Sequence, residues 1–176
     1  VSRCILLLNR ASGANQRGLD AAAASQTVER IFHQAGHQIS SSPIEPENLD
    51  RELERAIASA PDVILIGGGD GTVSTAARRL SGTEIALGIL PMGTFNLAAR
   101  DLGIPLEFEE AAEFLATVET FAIDVLDVSG HTCLCTTNLG FYPEFSKIFE
   151  SRDHGGHWWK KALKLLTALK AFTKSS

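Results

Sequence analysis

The residues best suited to chemistry lie together in Gly67-Gly68-Gly69-Asp70-Gly71-Thr72. The apolar run Val63-Ile64-Leu65-Ile66 precedes them, and Val73-Ser74-Thr75-Ala76-Ala77-Arg78-Arg79-Leu80 follows. The whole reads as a buried strand, a glycine-rich turn and the opening of a helix at Val73. Three consecutive glycines permit positive φ and let a bulky anion approach the main chain. The helix behind them aims unsatisfied N–H groups, and the positive end of its dipole, at the same point. A phosphate is the natural occupant, cradled by the amides of Gly68, Gly69, Asp70, Gly71, Thr72, Val73 and Ser74 with the Thr72 hydroxyl. A carboxylate facing a polyphosphate is repulsive unless a cation stands between them. Mg2+, a hard ion that prefers oxygen ligands, fills that role at Asp70. The expected ligand is a metal-bound nucleotide. A purely structural reading stands beside this one: the glycines serve sterics, and Asp70 caps the helix.

A second loop follows the next apolar run. Ile85-Ala86-Leu87-Gly88-Ile89-Leu90 ends in Pro91-Met92-Gly93-Thr94-Phe95-Asn96, which offers a hydroxyl and an amide to the same ligand. A dinucleotide-binding G-x-G-x-x-G fingerprint is excluded here. Its last glycine falls on Thr72 or Ser74, and the next strand ends without the acid that would grip a ribose.

These two loops carry a resemblance. Gly68-Gly69-Asp70-Gly71-Thr72 with Leu87-Gly88-Ile89-Leu90-Pro91-Met92-Gly93-Thr94-Phe95-Asn96 resembles the catalytic domain of diacylglycerol kinases and sphingosine kinase-like lipid kinases. Asn9-Arg10-Ala11-Ser12-Gly13 resembles that family's opening Asn-Pro-x-Ser-Gly loop, with Arg10 in place of proline. The runs at 98–105, 123–124 and 138–142 extend the likeness over residues 4–142. The first motif is shared with NAD kinases and phosphofructokinases; Pro-x-Gly-Thr-x-Asn selects lipid kinases. Two departures stand out, since Thr75 and Leu97 occupy positions where the family usually has Glu and Asp.

The resemblance implies ATP and Mg2+ as cofactors, transfer of the γ-phosphoryl group to a lipid hydroxyl, and Asp70 as the catalytic and metal-organising residue. Asn9, Ser12, Gly13, Gly93, Thr94 and Asn96 would complete the nucleotide pocket around the Gly68–Ser74 cradle. It also implies a three-layer, Rossmann-like α/β fold with a largely parallel sheet, akin to NAD kinase and phosphofructokinase. A second, β-rich domain would supply part of the lipid site and the catalytic base. Residues 1–124 then form the nucleotide-binding lobe, and 125–176 an incomplete opening of the second lobe. Two alternatives remain: a nucleotide-binding module without turnover, and a kinase of a soluble substrate such as NAD.

The elements that must position these residues follow from periodicity. Residues 4–8 read as a strand, 20–35 as a helix stopped by Gly36, and 38–42 as a weak edge strand. Pro46 opens a helix that Pro61 ends, 94–102 and 107–116 form two more, and 121–128 with 132–137 read as an antiparallel pair. Strands separated by helices give a parallel sheet covered on both faces. Ligands then lie beyond the carboxyl ends of the strands, where all three candidate loops fall.

With 44% hydrophobic and 21% charged residues, the 176-residue chain is an ordinary globular sequence. A net charge of −5 argues against nucleic-acid binding. Residues 155–176 nevertheless carry five lysines and no acid, leaving about −10 elsewhere. Three cysteines without framework spacing suit a reducing cytoplasm, with the inner membrane face as a second station. The chain begins at Val1 without methionine, as a piece of a longer protein would.

Weaker signals follow. Cys133 and Cys135 with His131, His154 and His157 could be metal ligands or unrelated residues. Arg100 could reach a phosphate or lie on a solvated helix face. Residues 158–174 carry Trp158, Ala162, Leu165, Leu166, Leu169 and Phe172 at helical spacing, with Lys160, Lys161, Lys164 and Lys170 between them. Such a helix could touch an anionic membrane as a peripheral contact, form a homodimer through 158–172, or pack on its own protein.

Overall fold

The computed structural model describes residues 1–10, 20–128 and 131–134. Four strands form one parallel sheet: β1 (Arg3–Asn9), β2 (Gln38–Ile44), β3 (Val63–Gly68) and β4 (Ala86–Pro91), in the order β2-β1-β3-β4. Five helices connect or follow them: α1 (Ala21–Gln34), α2 (Leu49–Ala58), α3 (Asp70–Leu80), α4 (Leu97–Asp101) and α5 (Phe108–Leu115). The register aligns Cys4 with Ile39 and Val63, and Val63 with Ala86.

The strand order decides the layers. From β1 the chain moves outward one way to β2; it then crosses back over β1 to β3 and continues the other way to β4. Right-handed crossovers running in opposite directions place α1 on one face and α2 and α3 on the other. Packing agrees, since α1 contacts α5 while α2 contacts α3. The expected three-layer, largely parallel α/β fold is what the chain adopts.

Local sequence accounts for the boundaries. The Asp20 carboxylate accepts the Ala23 N–H at the start of α1, and Gly36 takes φ +87° just beyond its end. Val28, Ile31 and Phe32 keep helical spacing and face inward. β2 runs two residues further than its composition suggests, through Pro43. An edge strand tolerates a proline because one side of its ladder is unpaired. Leu6, Leu8, Phe32, Leu53, Ile64, Leu65, Ile66 and Leu90 form the centre of the core.

Other boundaries also differ from the sequence reading: Pro46 opens a 3-10 turn (Pro46–Asn48), and helix α2 starts only at Leu49. Helix α3 begins at Asp70 rather than Val73: the Val73 N–H already closes a helical bond onto Gly69, so Asp70-Gly71-Thr72 is the first turn. Helix α4 begins at Leu97 rather than Thr94, because Asn96 sits in the left-handed region at φ +51° and breaks any continuous helix across the loop. Residues 121–125 are not strand; pairing is confined to β5 (Leu126–Val128) with β6 (His131–Cys133), antiparallel as expected. Val1–Cys135 forms one compact unit. Ser12, Gly13, Cys135, His154, His157 and residues 158–174 lie outside the described residues, as do the side chains of His131 and Cys133. No described helix is long and apolar enough to cross a membrane.

Cys4, 2% exposed at the start of β1, has its thiol pushed up to about 11, by burial first and by the Asp62 charge second. The folded state therefore holds this proton more tightly than the unfolded chain does. Its contribution is complete below about pH 9 and is lost as the pH rises toward 11. Thermal melts from pH 8 to 11 are expected to fall less steeply for Cys4→Ala than for the wild type. Parallel profiles would contradict this.

Candidate active site

The strand order reverses between β1 and β3, and a parallel sheet leaves a crevice at the carboxyl ends of such a pair. Asn9 closes β1 there, Gly68 closes β3, and Pro91 lies opposite Gly68 at the end of β4. The two candidate loops are thus neighbours in space because their strands are neighbours in the sheet.

Close packing, not unusual backbone, accounts for the glycines. None of Gly67, Gly68 and Gly69 has positive φ, which corrects the expectation from sequence. A Cβ on Gly67 would sit 2.1 Å from Leu8 Cδ2, and one on Gly68 would sit 2.7 Å from Thr72 Cβ. A Cβ on Gly93 would lie 2.6 Å from the Cα of Gly69, so here the two loops touch backbone to backbone. Gly71 differs. A Cβ there would meet nothing within 4 Å among the described residues, so the protein itself does not require glycine at this position.

Helix α3 presents its first turn to this space. A helix leaves its first four N–H groups without intrahelical acceptors, which here are those of the N-cap Gly69 and of Asp70, Gly71 and Thr72. Val73, buried in the core, spends its N–H on Gly69, and Ser74 lies one position deeper in the helix. Of the seven amides in the sequence reading, those of Gly69, Asp70, Gly71 and Thr72 therefore lack an intrahelical acceptor. The Thr72 hydroxyl stands beside them and accepts the Asn9 Nδ2 hydrogen bond at 3.0 Å.

Asp70 does not cap its own helix. The N-cap position belongs to Gly69, and Asp70 Oδ1 instead accepts the N–H of Leu97 at 2.7 Å, the first amide of α4. One carboxylate thus pins the second loop to the first. That loop is also closed on itself. Gly93 N–H donates to Asn96 Oδ1 at 2.8 Å, and Asn96 Nδ2 returns a bond to Gly93 O at 3.0 Å. Both groups of the buried Asn96 amide are therefore occupied structurally. The Met92 N–H reaches Gly68 O, Arg100 Nε donates to Phe95 O, and Thr94 stays exposed. The Thr75 hydroxyl turns back onto Gly71 O.

These residues fit a metal-bound polyphosphate. The Gly71 face is open, the first amides of α3 lack intrahelical acceptors, and Asp70 Oδ2 has no partner among the described residues. No group of three His, Cys, Asp or Glu side chains converges among the described residues. A cation there would have one carboxylate and would complete its shell with phosphate oxygens and water, as Mg2+ commonly does. Sequence reasoning missed the Asp70–Leu97 tie, the Asn9–Thr72 bond and the Gly69–Gly93 contact. Glycines recurring at the ends of adjacent strands were the available signal for the last of these.

Residues 3–128 match the sequence profile of the diacylglycerol kinase catalytic domain. The chain is 33% identical over 112 residues to a diacylglycerol kinase of Mycobacterium tuberculosis, covering 64% of this chain and 35% of that protein. It is 38% identical over 94 residues to lipid kinase YegS of Escherichia coli K12, covering 51% and 31% respectively. The crystal structure of a diacylglycerol kinase from Bacillus anthracis superposes with a TM-score of 0.63 at 27% identity, covering 83% of this chain and 50% of that one. The chain spans about a third of the length of these curated relatives and half of that solved structure.

Proposed function

Because the chain belongs to the diacylglycerol kinase catalytic domain family, we propose that it is the nucleotide-binding lobe of an ATP-dependent lipid kinase that phosphorylates a diacylglycerol-like hydroxyl. The observation that carries this reading is the first turn of α3, open at Gly71 and flanked by Oδ2 of Asp70. Phosphoryl transfer asks mainly for positioning and charge stabilisation, which such a turn supplies. The amides of Asp70, Gly71 and Thr72 bind the phosphate oxygens, and the helix dipole favours their charge. Asp70 Oδ2 would hold Mg2+ directly or through water, and an ion held there would supply charge neutralisation beside the phosphates. Asn96 and Gly93 keep the second loop in place beside the nucleotide. Asn9, Ser12, Gly13 and Thr94 complete the pocket, with the acceptor lipid reaching the nucleotide from a membrane surface. Nucleotide binding without turnover is a second reading, favoured by Thr75, whose hydroxyl bonds within α3 at a position where the resemblance implies a carboxylate.

Calorimetric titration separates these from a soluble-substrate kinase. Mg-ATP and Mg-ADP are expected to bind and NAD is not. Labelled phosphate is expected in diacylglycerol vesicles from the full-length protein and little from this chain alone. Binding of NAD, with label on NAD and on no lipid, would move the protein to the other class.

A further inference from the structure

Asn9 and Thr72 are 63 residues apart, yet they meet at the mouth of the crevice through a single side-chain bond whose direction has a consequence. Nδ2 of Asn9 carries only protons, so Thr72 Oγ1 is the acceptor at 3.0 Å. A hydroxyl that accepts through its oxygen keeps its own proton to donate elsewhere. No described protein group takes that proton, and Thr72 stands in the first turn of α3 beside amides that lack intrahelical acceptors. Thr72 Cβ, Cγ2 and Oγ1 all lie within 2.9 Å of the point where a Cβ on Gly68 would be. Glycine at 68 therefore makes the space into which Thr72 folds back toward β1, and Asn9, only 9% exposed, is waiting there.

We propose that Asn9 is a positioning residue that acts on the nucleotide through Thr72, fixing the threonine hydroxyl as a donor aimed at a phosphate oxygen. The inference rests on the nucleotide-binding reading above and adds to it the polarity of one hydroxyl. It differs from direct contact between Asn9 and the ligand. In the direct case the two side chains would act independently; in the relayed case the value of the hydroxyl depends on what residue 9 offers it.

That dependence can be measured with Mg-ADP as the titrant. A neutral-to-charged hydrogen bond is worth about tenfold or more in affinity. Thr72→Val is therefore expected to weaken Mg-ADP binding by about tenfold, and Thr72→Ser to restore most of it. Asn9→Asp keeps the shape but offers only acceptors, so the hydroxyl turns to donate to the new carboxylate. In that background Thr72→Val is expected to cost less than about twofold. Charge repulsion introduced by Asn9→Asp is common to both members of the pair and cancels. An unchanged tenfold cost of Thr72→Val in the Asn9→Asp background would overturn the relay while leaving nucleotide binding intact. Absence of Mg-ADP binding by the wild type would overturn the underlying reading, and the relay with it. If Asn9→Asp does not fold, Asn9→Ala serves in its place. The cost of Thr72→Val is then expected to fall to about threefold, and an undiminished cost again overturns the relay.

Discussion

Replacing Asp70 by alanine is expected to lower the affinity for Mg-ATP by about two orders of magnitude, on the scale of ~3 kcal/mol, and to abolish its dependence on Mg2+. Asparagine at the same position separates the two roles of the side chain. Asp70 Oδ1 accepts the Leu97 N–H, and an asparagine oxygen can do the same. Alanine cannot, so it also loosens the first turn of α4 by about 1 kcal/mol, the usual cost of a lost helix cap. The Asp70→Asn variant is therefore expected to melt close to the wild type yet bind nucleotide as weakly as Asp70→Ala. Titration with and without Mg2+, beside thermal melts of all three proteins, tests this. Wild-type affinity in the alanine variant, indifferent to Mg2+, would remove the metal from Asp70.

The second large effect is steric. Gly93→Val places a Cβ 2.6 Å from the Cα of Gly69 and 2.9 Å from Asn96 Oδ1. Neither obstacle can step aside, because one is backbone and the other is held by the Gly93 N–H. Overpacking of this kind costs about 1–3 kcal/mol, and separating the loops also strains the Asp70–Leu97 bond. The variant is expected to melt lower and to lose nucleotide binding together. Gly71→Ala is the contrast. Its Cβ meets no described atom within 4 Å, so stability should stay within about 0.5 kcal/mol while the new methyl obstructs the ligand face. A Gly93→Val protein that melts and binds like the wild type would show that the loops do not need this contact.

The sequence was most legible where one physical cause dominates. Apolar runs ending at Asn9, Gly67 and Pro91 located β1, β3 and β4, and helical spacing with Asp20 and Gly36 located α1. Topology alone placed the loops together, because parallel strands bring their carboxyl ends to one edge. What remained hidden was settled by contacts between distant residues. Nothing local to Asp70 says that its carboxylate will bond Leu97 rather than its own helix. Asn96 looks like an ordinary loop amide until its φ of +51° and its two bonds to Gly93 are seen. The triple glycine suggests backbone freedom, yet the neighbours Leu8, Met92, Thr72 and Gly93 make it a matter of space.

The place of β1 in the middle of the sheet bears on how the chain acquires its site during synthesis. β1 is made before both of its neighbours, β2 and β3, so its hydrogen-bonding edges are both satisfied only after residue 68 has emerged. Asn9 then waits for Thr72, and Asp70 waits for Leu97. Pairing over such separations is slow relative to local helix formation. A nascent chain halted before Leu97 could form the β2-β1-β3 core but not the tie between the loops. The appearance of nucleotide affinity would therefore mark the docking of the loop after β4 onto the first turn of α3.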